Sequence, residues 1–100
     1  MQVQIAFRHM DSSDALKEHV NHKLARLERF GDILLDTSVT LSKNGHRAIA
    51  EFVLNVKGDT LKAKEESDDM YASIDGGVDT AERLIKRHRD LQRETQRDKR

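Results

Sequence analysis

Apolar and polar residues alternate with two distinct periods along the chain, and the switches between them mark out the elements. Val3, Ile5 and Phe7 alternate with Gln4, Ala6 and Arg8, the two-residue period of a half-buried first strand. Asp11-Ser12-Ser13-Asp14 then supplies a helix start, with acidic groups at the positive end of the dipole. Leu16, Val20, Leu24 and Leu27 follow on one helical face. The helix is expected to stop near Phe30-Gly31, with Gly31 as a left-handed cap.

Ile33 to Asp36 reads as a connection, and Thr37 to Lys43 as a second strand with Val39 and Leu41 inward. Asn44-Gly45 signals a tight turn. Ala48, Ala50, Phe52, Leu54 and Val56 line one side of a long third strand, and Gly58-Asp59 turns the chain again. Leu61 and Ala63 face inward from a fourth strand, with Lys62 and Lys64 outward. Ser67-Asp68-Asp69 starts a last helix whose apolar set is Tyr71, Ile74, Val78, Ala81, Ile85 and His88, widened by Leu84 and Leu91. Beyond Leu91 only polar and charged residues remain.

The predicted order is β-α-β-β-β-α. Short turns make the last three strands an antiparallel meander, the first strand adds beside it, and both helices cover one face. The expected fold is an α+β two-layer domain, with a four-stranded sheet under two helices. Residues 1–91 form one domain and 92–100 a polar C-terminal tail, frayed or disordered.

Composition narrows the functional classes. Apolar and charged residues each make up 36% of the 100 residues, which suits a thin fold with one buried face per layer. Cysteine is absent, which excludes disulfides and thiolate zinc sites. No apolar run approaches a membrane span, and Met1 to Arg8 alternates instead of forming a signal peptide, so a soluble cytoplasmic protein is expected. His19 and His22 sit three apart on the first helix, but no third ligand has diagnostic spacing, and a surface pair without metal is expected. Asp75-Gly76-Gly77 lacks a preceding strand and a following Lys-Ser/Thr, so it is not a phosphate loop. Two glycines inside a helix cost about 1 kcal/mol each against alanine. Their expected role is close approach of that helix to the sheet or to the first helix. No nucleophile–base–acid set stands out; neither an enzyme nor a cofactor is expected.

The net charge is zero, so any nucleic-acid site must come from sorting charges onto one face. Wound at about 100° per residue, the first helix places His19, His22, Lys23, Arg26 and Arg29 on one flank of its core line. Lys17, Glu18, Asn21 and Glu28 take the other. In the last helix Arg83, Lys86 and Arg87 gather away from the core line, interrupted by Asp79 and Asp90, and Arg89, Arg93 and Arg97 extend the charge. Spacing alone favours an ordinary solvated surface. An RNA surface requires the two basic faces to lie side by side, with phosphates supplying affinity and the paired helices reading shape. With Phe7 and Phe52 on core faces, an aromatic stacking platform is not expected.

Asp69-Met70-Tyr71-Ala72-Ser73-Ile74-Asp75, continued by Arg83 and Ile85-Lys86-Arg87-His88, resembles the ribosome hibernation promoting factor family, also called ribosome-associated inhibitors or sigma-54 modulation proteins. In the first helix, Ala15-Leu16-Lys17, Val20 and Lys23-Leu24-Ala25-Arg26-Leu27-Glu28 fit the family pattern, and the resemblance covers residues 1–91. It implies a fold like double-stranded-RNA-binding domains with an extra first strand. It also implies binding in the decoding channel of the small ribosomal subunit, over the tRNA and mRNA sites, in stationary phase. Carried over by position, the rRNA contacts are Lys23, Arg26, Arg29, Arg83, Lys86, Arg87 and Arg89. Two positions depart from the pattern. Gly77 stands where an apolar residue is usual, and Thr80 where a basic one is common.

Long members carry a second, dimerising domain, for which this chain has no room. Some short inhibitors end in an acidic tail, whereas this chain ends Arg97-Asp98-Lys99-Arg100. It therefore looks like the short promoting type, acting beside a separate ribosome modulation factor in ribosome pairing, with no membrane or DNA partner. Three alternatives stay open: an inhibitor that keeps ribosomes unpaired, a protein-interaction module regulating transcription, and a metal- or ligand-binding domain using His19 and His22.

Overall fold

A computed structural model describes residues 1–98, with side chains through residue 93. The strands are β1 (Gln2–Arg8), β2 (Leu34–Asn44), β3 (Arg47–Val56) and β4 (Asp59–Ser67); the helices are α1 (Asp14–Leu24) and α2 (Met70–Asp98). The four strands form one sheet in the order β1-β2-β3-β4. β1 runs parallel to β2, and the two later pairs are antiparallel. β1 and β4 therefore point the same way, and both helices return from the same end of the sheet. This is the expected α+β two-layer arrangement.

The alternation sets the layer boundary. Val39, Leu41, Ala48, Ala50, Phe52, Leu54, Val56 and Ala63 are buried on one side of the sheet. Val3, Ile5 and Phe7 on edge strand β1 are half-buried on that side. The helices bring Leu16, Val20, Leu24, Ile74, Val78, Ala81 and Ile85 against them. The Gly-Gly step lets α2 come close. A Cβ at Gly77 would overlap the Phe52 ring, and one at Gly76 would lie 2.8 Å from Glu65 Cγ. Here the missing side chain is the packing feature.

Local capping explains the helix starts. The Ser13 hydroxyl accepts from the Leu16 amide at 3.2 Å. At the head of α2 the Asp69 carboxylate accepts from the Tyr71 amide at 3.2 Å. The buried Ser73 hydroxyl donates to the Ala48 carbonyl at 2.8 Å, which ties the first turn of α2 to β3.

Several expectations need correction. α1 tightens into a 3-10 segment over Ala25–Phe30. Its last turn closes with the Gly31 amide on the Glu28 carbonyl, and Gly31 has φ −59°, so it is no left-handed cap. The three-residue repeat instead buries both Leu27 and Phe30. β2 begins at Leu34 rather than Thr37, with a register shift between Leu34 and Asp36 that turns Leu35 out to solvent. The β2–β3 loop is Gly45-His46, with positive φ at Gly45 alone, so Asn44 still belongs to the strand. On α2, Tyr71 and Leu91 are exposed, while Met70 and Ser73 are buried in the first turn. Apart from these corrections, α2 runs to Asp98 through part of the expected tail, and the Gln92 side chain donates to the Lys57 carbonyl at 3.2 Å. The final two positions of the expected tail, 99 and 100, lie outside the described residues.

Candidate nucleic-acid interface

α1 and α2 lie side by side on the sheet and run parallel, so residues a turn apart on one meet residues a turn apart on the other. The basic flank of α1 meets an acidic stripe on α2. His19 Nε2 lies 2.7 Å from Asp75 Oδ1, and Lys23 Nζ lies 3.9 Å from the same oxygen. Arg26 Nη2 pairs with Asp79. Arg29 Nη2 pairs with Glu82 at 2.6 Å. The hydrogen bond that Arg26 donates to Asp79 raises the Arg26 pKa above its ordinary value; partial desolvation works against this, and the charges of Asp79, Glu82 and Asp75 add to it.

This ladder is what the sequence reading missed. Asp79 reads in the sequence as an interruption of the basic face. Away from the helices, Arg47 holds Glu66 at 3.0 Å and Asp68 at 2.8 Å. The acids opposite the basic flank are Asp75, Asp79 and Glu82, spaced four and three apart. That helical spacing was the available signal, since it puts three acids on one face of α2, able to meet Lys23, Arg26 and Arg29 on a parallel neighbour.

The second row differs. Arg83, Lys86 and Arg87 are exposed and take no ion pair among the described residues. Arg83 donates to Thr80 Oγ1 at 3.2 Å, so Thr80, where a basic residue is common, instead steadies the next arginine. Arg89 is half-buried, its guanidinium 5.2 Å from the centre of the Phe30 ring that Arg29 also approaches, at 4.8 Å. Its Nε is buried without a hydrogen-bond partner and lies 3.9 Å from Asp90. The structure thus brings all seven cations onto the helical layer. Three of them are tethered, three stand free of ion pairs, and Arg89 lies against the core edge.

His19 turns to Asp75 and meets Tyr71 edge-on with ring centres 4.8 Å apart, while His22 is exposed. Among the described residues no three potential metal ligands cluster. The arrangement offers cations, hydrogen-bond donors and one exposed tyrosine, which suits binding a polyanion.

A family model described as Sigma 54 modulation protein / S30EA ribosomal protein matches residues 3–93. The chain belongs to this family. Membership agrees with the expectation of no enzymatic activity, since the family binds ribosomes without catalysis. A ribosome hibernation promoting factor of Azotobacter vinelandii is 35% identical over 96 residues, covering 96% of this chain and 90% of that protein. One from Escherichia coli K12 is 33% identical over 90 residues, covering 90% and 95%. The ribosome hibernation promotion factor of Deinococcus radiodurans is 36% identical over 89 residues, and the chain spans about half of it, 47%. Among solved structures, the N-terminal domain of Thermus thermophilus Protein Y matches with a TM-score of 0.81 at 37% identity, covering 88% of this chain and 99% of that one. A ribosomal subunit interface protein from Coxiella burnetii gives 0.84 at 27% identity, covering 90% and 99%. Both solved structures thus share the fold of this chain over about nine tenths of its length.

Proposed function

We propose that this chain is a ribosome hibernation factor of the cytoplasm that binds the small ribosomal subunit through the helical layer. It occupies the decoding channel, blocks tRNA and mRNA, and holds ribosomes inactive in stationary phase and under stress. The observation that carries the reading is the row Arg83, Lys86 and Arg87, exposed and free of ion pairs among the described residues in a chain of zero net charge, in a family whose relatives bear the name of ribosome hibernation. A neutral protein with a cluster of unpaired cations on its helical layer meets a polyanion in a preferred orientation. Phosphates then displace counterions at those cations, and the groups position the domain on rRNA. Lys23, Arg26 and Arg29 extend the surface across the groove. Arg89 takes the smallest share, because its side chain is half-buried against Phe30, whereas Arg29 at the same ring stays exposed.

The chain matches relatives named ribosome hibernation promoting factors over nearly their full length, which supports a promoting role beside a separate modulation factor in ribosome pairing. Sucrose-gradient profiles of stationary cells with and without the chain test both levels. Cosedimentation with small subunits, lost at high salt, is the expected result, together with a paired-ribosome peak that depends on the chain. A peak of single inactive ribosomes favours the inhibitor that keeps ribosomes unpaired. Absence of the chain from every ribosomal fraction removes the reading and leaves a protein-interaction role.

A further inference from the structure

We infer that Asp79 and Glu82 are positioning residues for RNA binding: their carboxylates hold Arg26 and Arg29 in the conformation that meets phosphate. The inference rests on the proposed RNA-binding face and adds the groups that prepare it. Coulombic intuition says the opposite, because acids beside an RNA surface repel phosphate.

The geometry gives the reason. Arg26 meets Asp79, and Arg29 meets Glu82, through one terminal nitrogen, Nη2. A guanidinium has five N–H donors in a planar fork, so the other edge stays available. The side chains remain 42% and 56% exposed, which leaves that edge open to solvent. Arg29 is held a second time, with its guanidinium 4.8 Å from the centre of the Phe30 ring. The acids themselves are fixed on α2, which is tied to the sheet through Ser73 and packed on Phe52 at Gly77. Each arginine is thus ordered before RNA arrives, whereas a free arginine must be ordered on binding.

Two effects of each carboxylate oppose one another. Ordering a long side chain in advance is worth about two- to tenfold in affinity. Repulsion between carboxylate and phosphate lowers affinity, but at physiological salt the screening length is about 8 Å, and Asp79 is exposed while Glu82 is half-buried. Salt weakens the longer-range repulsion more than the contact hydrogen bonds that do the ordering. At about 0.15 M salt the carboxylate is therefore a net help, and the help grows as salt rises.

The test measures affinity of the intact chain for purified small subunits across a salt series, well below each variant's melting midpoint. Asp79→Ala and Glu82→Ala are compared with Glu18→Ala, which removes the same charge from an exposed position of α1 outside both rows. Asp79→Ala and Glu82→Ala should each bind about two- to tenfold more weakly than wild type. Glu18→Ala should bind as well as wild type or better. The deficit of Asp79→Ala should widen with salt, and Asp79→Glu should recover most of it. A merely structural role moves the melting midpoint but produces neither the salt trend nor a deficit far below that midpoint. Asp79→Ala binding as tightly as wild type or tighter overturns the inference, and so does a deficit that shrinks with salt or one that Asp79→Glu leaves uncorrected. The proposed RNA face is judged separately by Arg83, Lys86 and Arg87, which lie outside the ladder. If their reversal to Glu destroys binding while Asp79→Ala leaves it intact, the face stands and the positioning role falls; if the wild-type chain does not bind small subunits, both fall.

Discussion

The two basic rows of the helical layer look alike in sequence and differ in circumstance. Lys23, Arg26 and Arg29 of the first row each face an acid of the neighbouring helix. Arg83, Lys86 and Arg87 of the second face solvent. The first row helps hold two helices in register and leaves one edge of the Arg26 and Arg29 guanidinium groups open to solvent. The second contributes little to the fold and, on the proposed RNA-binding reading, is the freer source of counterion release. A count of basic residues cannot make this distinction, because it depends on what lies across the groove.

Reversing the free row sharpens the difference most. Arg83, Lys86 and Arg87 changed together to Glu should lower small-subunit affinity about a hundredfold or more near 0.1 M salt. The melting midpoint should stay within a degree or two, as read by circular dichroism, because none of the three is ion-paired. A mutant that unfolds would show that the second row is structural after all.

The comparison also assumes that α2 sits tight on the sheet, since the ladder needs that spacing. Gly77→Ala drives a methyl group into the Phe52 ring. Overpacking of this kind costs about 1–3 kcal/mol, against about 1 kcal/mol gained in helix propensity. Denaturant melts should show a net loss in the wild-type background. In a Phe52→Leu background, where the ring is gone, the same change should be neutral or stabilising. Equal effects in both backgrounds would remove Phe52 as the reason for the glycine.

The smallest effect separates the rows by stability. Exposed ion pairs contribute about 0.2–1 kcal/mol each. Arg26→Ala should therefore lower the melting midpoint by a few degrees. Arg83→Ala should leave it unchanged. If both substitutions gave the same midpoint, the ladder would be ornamental for stability.

What was legible in the sequence follows from how local each signal is. Residues such as Ala48 to Val56 report their own burial through a two-residue period, and both helical stripes at Val20–Leu24 and Ile74–Ile85 do the same. Ends were harder. Gly31 carries the composition of a left-handed cap, but the chain tightens before reaching it, and the buried Phe30 sets that geometry. Tyr71 fits the apolar period by type, yet the capping at Asp69 and the Ser73–Ala48 bond turn Met70 and Ser73 inward instead. Of the site, the residue types and their helical faces were readable. The pairing of Arg26 with Asp79, 53 positions apart, was not, because it needs the parallel course of two helices that only the sheet order dictates.

The central claim is that the helical layer, rather than the open face of the sheet, meets ribosomal RNA. The absence of cysteine allows a single label to be placed at will. An iron chelate on His22→Cys, exposed on α1, and on Lys62→Cys, exposed on the outer face of β4, would generate hydroxyl radicals on opposite sides of the domain bound to small subunits. The account predicts strong cleavage of decoding-region rRNA from position 22 and weak cleavage from position 62. Equal cleavage from both, or stronger cleavage from position 62, would contradict it.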